Sequence, residues 1–173
     1  MTLGYSFLEN YVCRNYGGPR TKLNSNIFYE ISEKEIREGE NILGFPFPSE
    51  LRQFYQEIGT GFLTTPYNPL PSYTFSGSNE ILQPLAVAHF GKGELEWEGQ
   101  QDWISPTFVE DFLEPGDLPF FDIADSSLYM VLKTQSDNPN AVWYMGRLKI
   151  EDSFETFIRN LYYEDPAYYE RKL

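Results

Sequence analysis

Between residues 31 and 63 the sequence ISEKEIREGENILGFPFPSELRQFYQEIGTGFL sets two apolar stripes on either side of a proline-rich break. Ile36, Gly39, Glu40 and Leu43 recur at helical spacing, so a helix here turns one carboxylate into an otherwise apolar or small stripe. Ser32 with Glu35 three residues on is a capping box that predicts the start of this helix, and Gly44 predicts its end. Phe45-Pro46-Phe47-Pro48 cannot continue it, because each proline lacks a donor and restrains the residue before it. Ser49 is expected to cap a second helix, in which Leu51, Phe54, Tyr55 and Ile58 follow the spacing i, i+3, i+4, i+7. Gly59 and Gly61 then end it, since glycine accepts the left-handed turn.

Downstream, the alternation of apolar and polar positions becomes shorter in range. A strand is expected at 62–65, an extended loop at Pro66, Pro69 and Pro71, and a possible strand at 73–75. Ser78 predicts a short helix over 79–83 stopped by Pro84, and 85–90 reads as a strand with Leu85, Val87 and His89 on one side. Glu94, Glu96 and Glu98 alternate with Leu95 and Trp97, which in a strand puts three carboxylates on one face. Ser105-Pro106 starts a helix whose apolar side is Phe108, Val109 and Phe112. Strands follow at 120–123, 128–133 and 141–145. A last helix, capped by Asp152 or Ser153, carries the stripe Phe154, Phe157, Ile158, Leu161 and Tyr162. The tail 168–173 is expected to be mobile or a short extra turn. A helix pair first, strands in the middle and a helix last define the α+β class: one domain with a central, mainly antiparallel sheet and the C-terminal helix packed on it.

The order of these landmarks resembles the SUKH superfamily, the domain shared by the yeast cell-wall assembly regulators Smi and Knr and by many bacterial immunity proteins. Ile36, Glu40, Leu43, Gly44, Phe47, Pro48, Leu51, Tyr55, Gly59 and Gly61 carry the first part of the resemblance. Leu118-Pro119-Phe120 and the segment from Ser153 to Ile158 carry the later part. The similarity spans roughly residues 28 to 163, leaving 1–27 as an N-terminal arm ahead of a Smi/Knr-like domain at 28–173. Where family members often have glycines between the two late strands, this chain has Asp125-Ser126-Ser127. The resemblance implies a non-enzymatic protein-binding domain of the immunity type, with a cognate toxin as partner; a regulatory scaffold of the cell-wall-regulator type is the other function it implies.

Composition narrows this. A chain of 173 residues is expected to be one domain with a substantial core, and an aromatic content of 17% makes that core ring-rich. A single cysteine, Cys13, excludes an internal disulfide. The N-terminus has neither a basic region nor a long apolar run, so no secretory signal or membrane span is expected and the location reads as cytoplasmic. The net charge of −13 argues against nucleic acid and anionic lipid as direct partners. Ten acids and no lysine or arginine lie between Lys92 and Lys133, a run that reads as a solvated face or as a landing surface for a basic partner such as a nuclease.

The candidate residues follow from that run. Glu94, Glu96, Trp97, Glu98, Asp102, Trp103, Glu110 and Asp111 are the expected partner contacts, because aromatic anchors ringed by charge supply a few strong interactions at an interface. Glu40, Gly44, Pro48, Gly59 and Gly61 are expected to be structural; Glu40, on an inward stripe, has to find donors, and amides near Pro48 or Gly59 are the nearest. The acidic run lacks the spacing and central glycine of a calcium loop, and His89 is the only histidine, so no metal is expected. Gly59-Thr60-Gly61 follows a helix and does not precede one, the wrong polarity for a phosphate loop. No nucleophile elbow or zinc spacing appears, so neither catalysis nor a cofactor is expected.

Overall fold

A computed structural model of the protein describes residues 4–13, 26–63, 79–100, 102–123, 126–164 and 167–173. The expected strand at 73–75, the Ser78 cap, residues 64 and 65 of the expected 62–65 strand, Asp125 and Asp165-Pro166 lie outside them.

The capping box forms as its spacing predicts. Helix α1 (Glu33–Leu43) starts with Ser32 Oγ accepting from the Glu35 amide at 3.2 Å, while the Glu35 carboxylate accepts from the Ser32 amide at 2.9 Å. Helix α2 (Ser49–Glu57) begins one residue earlier than expected, with Pro48 at the capping position, so Ser49 does not cap it. The cap comes from far along the chain. Asn140 Oδ1 accepts from the Glu50 amide and Asn140 Nδ2 donates to Ser49 Oγ, both at 3.1 Å. Glu50 in turn reaches the last helix, α5 (Phe154–Tyr163): its Oε2 accepts from the Glu155 amide and from Ser153 Oγ at 2.8 Å each. Ser153, not Asp152, is the residue whose own side chain caps α5.

Among the described residues eight strands form one sheet in simple chain order: β1 (Val12–Cys13), β2 (Ile27–Tyr29), β3 (Thr60–Leu63), β4 (Asn79–Ile81), β5 (Asp117–Asp122), β6 (Tyr129–Lys133), β7 (Val142–Tyr144) and β8 (Leu148–Glu151). All neighbours are antiparallel except β1 and β2. Gly59, at φ +104°, lies so close to β2 that an added Cβ would sit 1.9 Å from Tyr29 O, and the same addition at Gly61 would meet Ile27 O at 2.1 Å. These two positions therefore exclude a side chain by contact as well as by backbone conformation. At the β5–β6 turn, Ser127 takes φ +59°, the left-handed region that favours glycine, beside Ser126 Oγ, which accepts from the Leu128 amide at 3.2 Å.

Three expectations between residues 79 and 98 are overturned. Residues 79–81 are strand β4 and not a helix, while the segment read as a strand at 85–90 is helix α3 (Pro84–Gly91). Pro84 is its first residue, where no donor is required. The LAVAHF run is apolar on nearly all sides because α3 is enclosed, and in so short a run periodicity does not separate a buried helix from a buried strand. Gly39 of α1 and Gly91 of α3 mark the close contacts: a Cβ on Gly39 would lie 2.9 Å from Pro84 O, and one on Gly91 would lie 2.8 Å from the Leu118 side chain. The third correction is 94–98, which joins no strand.

Helix α4 (Pro106–Phe112) starts at Ser105-Pro106 as expected. Helix α5 buries Phe154, Phe157, Ile158 and Leu161 against the sheet, with the Phe157 ring 5.2 Å from that of Phe121 and close to edge-on. Residues 4–13 are packed into the body: Tyr5 and Leu8 are fully buried, and the Tyr5 amide donates to Glu57 Oε2 at 2.8 Å. The tail is ordered, which removes the mobile alternative. Tyr168–Lys172 forms a 3-10 turn, Tyr168 and Tyr169 are buried, and Lys172 Nζ donates to Ile150 O at 2.8 Å along the outer side of β8.

Candidate functional site

Helix α3 ends in a tight reversal. The Lys92, Gly93 and Glu94 amides all donate back to carbonyls of residues 88–90. Gly93 at φ +75° and Gly99 at φ +81° then bracket residues 94–98, and neither glycine has an atom within 4 Å of an added Cβ. Both are needed for the turn and not for space. Between them exposure still alternates. Glu94, Glu96 and Glu98 are exposed, whereas Leu95 and Trp97 are half-buried and pack on the core. The period of two that suggested a strand is real, but side-chain packing on α3 enforces it without a pairing partner.

His89 organises this contact. The Trp97 ring stacks on its imidazole with centroids 4.4 Å apart and planes 11° from parallel, and it meets Phe90 edge-on at 5.2 Å. Glu94 Oε2 lies 2.5 Å from His89 Nδ1, a contact that becomes an ion pair when the imidazole is protonated. At the far end of the segment Asp102 is half-buried. Burial pushes its carboxyl up to about 6, against a lowering contribution from the hydrogen bond donated by the Gln83 backbone amide at the start of α3. Its charge also bears on the Tyr55 hydroxyl, which burial raises well above the usual range. Gln100 Nε2 donates to Asp102 O at 2.8 Å.

Trp103, next in the chain, is 61% exposed. Glu110 and Asp111 are exposed on α4, which is fixed by Phe108 packed on Tyr129 and by Arg147, whose guanidinium lies over the Phe112 ring at 4.5 Å and donates to Asp111 O at 3.0 Å. Of the eight expected contacts, six are thus exposed, and Trp97 and Asp102 are held in from the surface. The end of the acidic run behaves differently. Asp117 is 2% exposed, and its Oδ2 accepts from Lys133 Nζ and from the Glu114 amide at 3.1 Å each. Lys133 Nζ also donates to Glu114 Oε2 at 3.1 Å and Gly146 O at 3.2 Å. Glu114, Asp117 and Lys133 line a hollow of about 530 Å³ together with Pro115, Gln135 and Ser136. Burial still raises the Asp117 carboxyl despite Lys133. Lys133 and Arg147 were absent from the sequence-derived set; their signal was that they are the first bases after the acidic run.

At the helix pair, Glu40 Oε1 accepts from the Phe47 amide at 3.1 Å, one residue before Pro48, and from Arg52 Nε at 2.9 Å. Arg52 Nη2 continues to Glu33 Oε1, which also accepts from Arg37, while Glu33 Oε2 accepts from Gln56. These donors hold the Glu33 carboxyl down at about 2. Among the described residues no group of three or more His, Cys, Asp and Glu side chains is placed to hold a metal ion, and no helix is long and apolar enough to cross a membrane.

An α+β domain with an open meandering sheet, a braced helix pair and an acidic segment strapped along an enclosed helix is the class of molecule these features define. The SMI1 / KNR4 family (SUKH-1) model matches residues 30–160, and the chain belongs to that family. The immunity protein YxxD of Bacillus subtilis (strain 168) is 31% identical to it over 144 residues, 83% of this chain and 88% of that one. No solved structure is significantly similar to it.

Proposed function

We propose that this protein is an immunity protein that binds a cognate protein toxin in the cytoplasm and neutralises it by occupying its surface, without turnover. The observation that carries this reading is the likeness to an immunity protein along most of both chains. Charge supports a basic partner such as a nuclease. A net charge of −13, with the acids concentrated after residue 79, steers a cationic protein toward the binding face and raises its association rate. In this reading Glu94, Glu96, Glu98, Trp103, Glu110 and Asp111 make the contacts, and Trp97 and Asp102 act from beneath by fixing the segment that presents them. The half-buried stack of Trp97 on His89 limits the conformational freedom that the segment 94–98 loses on binding.

The test is co-expression with each toxin encoded beside the gene. Rescue of growth together with a recovered stoichiometric complex is the expected result. Absence of rescue and of any complex across all neighbouring toxins would overturn the immunity reading and favour a regulatory scaffold.

A further inference from the structure

We propose that the hollow just past the end of α4 is a seat for a cationic side chain, arginine or lysine, of the protein that this chain captures. The occupant rests on the capture reading; the cation chemistry of the hollow does not.

The lining is arranged to accept hydrogen bonds and not to donate them. Two carboxylates, Glu114 and Asp117, face one ammonium, Lys133, which leaves one negative charge uncompensated. Lys133 has three N–H groups and commits them to Glu114 Oε2, Asp117 Oδ2 and Gly146 O, at 3.1, 3.1 and 3.2 Å. It has none left for an incoming anion, which would also be repelled by both carboxylates. A cation meets the reverse situation. The Glu114 side chain is 74% exposed, and a carboxylate holding one ammonium still has lone pairs for a forked guanidinium or a second ammonium. Pro115 adds an apolar wall for the methylene stem of a long cationic side chain. Asp117 is buried at the side of the hollow, and Lys133 alone does not offset the cost of burying its charge, so a second cation nearby stabilises it. The volume, about 530 Å³, lies within the range of roughly 300–1,000 Å³ that ligand sites occupy.

The hollow is continuous with the proposed contact face. Glu110 and Asp111 are exposed on α4, and the β7–β8 turn joins them to the hollow: Arg147 donates to Asp111 O at 3.0 Å, while Gly146 beside it holds Lys133. A basic protein resting on Glu110 and Asp111 has the hollow at the edge of its footprint. A second copy of this chain is disfavoured as occupant by the net charge of −13.

The cation chemistry is tested on the intact protein without a partner. Amide chemical shifts are followed as methylguanidinium chloride is added, with tetramethylammonium chloride at equal ionic strength as a cation lacking N–H groups. Methylguanidinium should give saturable shifts at Asp117, Gln135 and Gly146, and tetramethylammonium should not. Glu114→Gln should abolish most of the response, while Glu38→Gln on α1, an exposed acid paired with Lys34, should keep it. Equal shifts with the two salts, or shifts spread alike over all exposed acids, would show diffuse counter-ion attraction and overturn the seat. In the complex recovered by co-expression, Glu114→Gln should speed dissociation roughly tenfold with little change in association rate, because a contact completed after docking acts on departure. An unchanged dissociation rate beside a positive titration would overturn the captured side chain as occupant and assign the seat to small free cations. If no complex is recovered, capture and occupant fall together, and the titration still decides the cation chemistry by itself.

Discussion

Arg52 Nε donates to Glu40 Oε1 at 2.9 Å, across the break between the two helices of the N-terminal pair, and the same oxygen accepts from the Phe47 amide. One carboxylate thereby fixes the proline-rich turn to the helix on each side of it. Replacing it leaves a partly buried amide without its acceptor, although Arg52 retains Glu33. Glu40→Ala should lower stability by on the order of 1–3 kcal/mol in urea unfolding, and Glu40→Gln, which keeps an acceptor, by less. An unchanged midpoint in Glu40→Ala would contradict this role.

The cap supplied by Asn140 gives a second prediction. Asn140→Ala removes the acceptor for the Glu50 amide and the donor to Ser49. The loss should be about 1 kcal/mol, the usual value of a helix cap, although residue 140 lies 90 positions away in sequence. Thermal unfolding of the single variant is sufficient to check it.

Gly44 and Gly59 separate backbone conformation from contact. Both have positive φ, but an added Cβ at Gly44 meets nothing within 4 Å, while at Gly59 it lands on Tyr29 O. Gly44→Ala should therefore cost only the left-handed penalty, about 1–2 kcal/mol. Gly59→Ala should cost clearly more, because β2 has to move. Similar unfolding midpoints for the two variants would show that β2 yields freely.

Asp102 also makes global stability depend on pH. Its folded carboxyl stands at about 6, above the ordinary value of 3.8, so the folded chain binds its proton more tightly than the unfolded one does. The stabilisation is complete below about pH 4 and is lost as the pH rises through about 6. After discounting for partial exposure, Asp102→Asn should stabilise the protein by on the order of 1–2 kcal/mol at pH 8 and have little effect at pH 4. Urea midpoints of both proteins at the two pH values measure the difference.

Reversing Glu94, Glu96 and Glu98 to Lys should slow toxin capture strongly at low salt and much less at high salt, because exposed charges act through long-range steering that added ions screen. Stopped-flow association rates over a salt series provide the measurement. Rates indifferent to the reversal would remove these side chains from the contact.

How much of this was legible in the sequence depended on range. The capping box at Ser32, the Ser105-Pro106 start and the stripe of α5 are local signals, and the helices they predict are present. The run at 85–90 was misread because enclosure by α1 and β5 erases the polar side that would have revealed a helix. Strand β8 was missed because Ile150 is its only buried residue. The acids at 94–98 were legible as a period of two, but the contacts of His89 on α3 and of Asp102 appear only when the segment after α3 folds back along that helix. Arg52 as the partner of Glu40, and Asn140 as the cap of α2, are long-range pairings for which no local pattern exists.

The sheet's strands lie side by side in the order in which they are synthesised, from β1 to β8. Each new strand on leaving the ribosome finds its neighbour already laid down, so no gap has to be held open for a later segment. Such topology favours nearby pairings over distant ones and with them rapid folding. The late joints, Asn140 onto α2 and Glu50 onto α5, close only after residues 140 to 163 have been made.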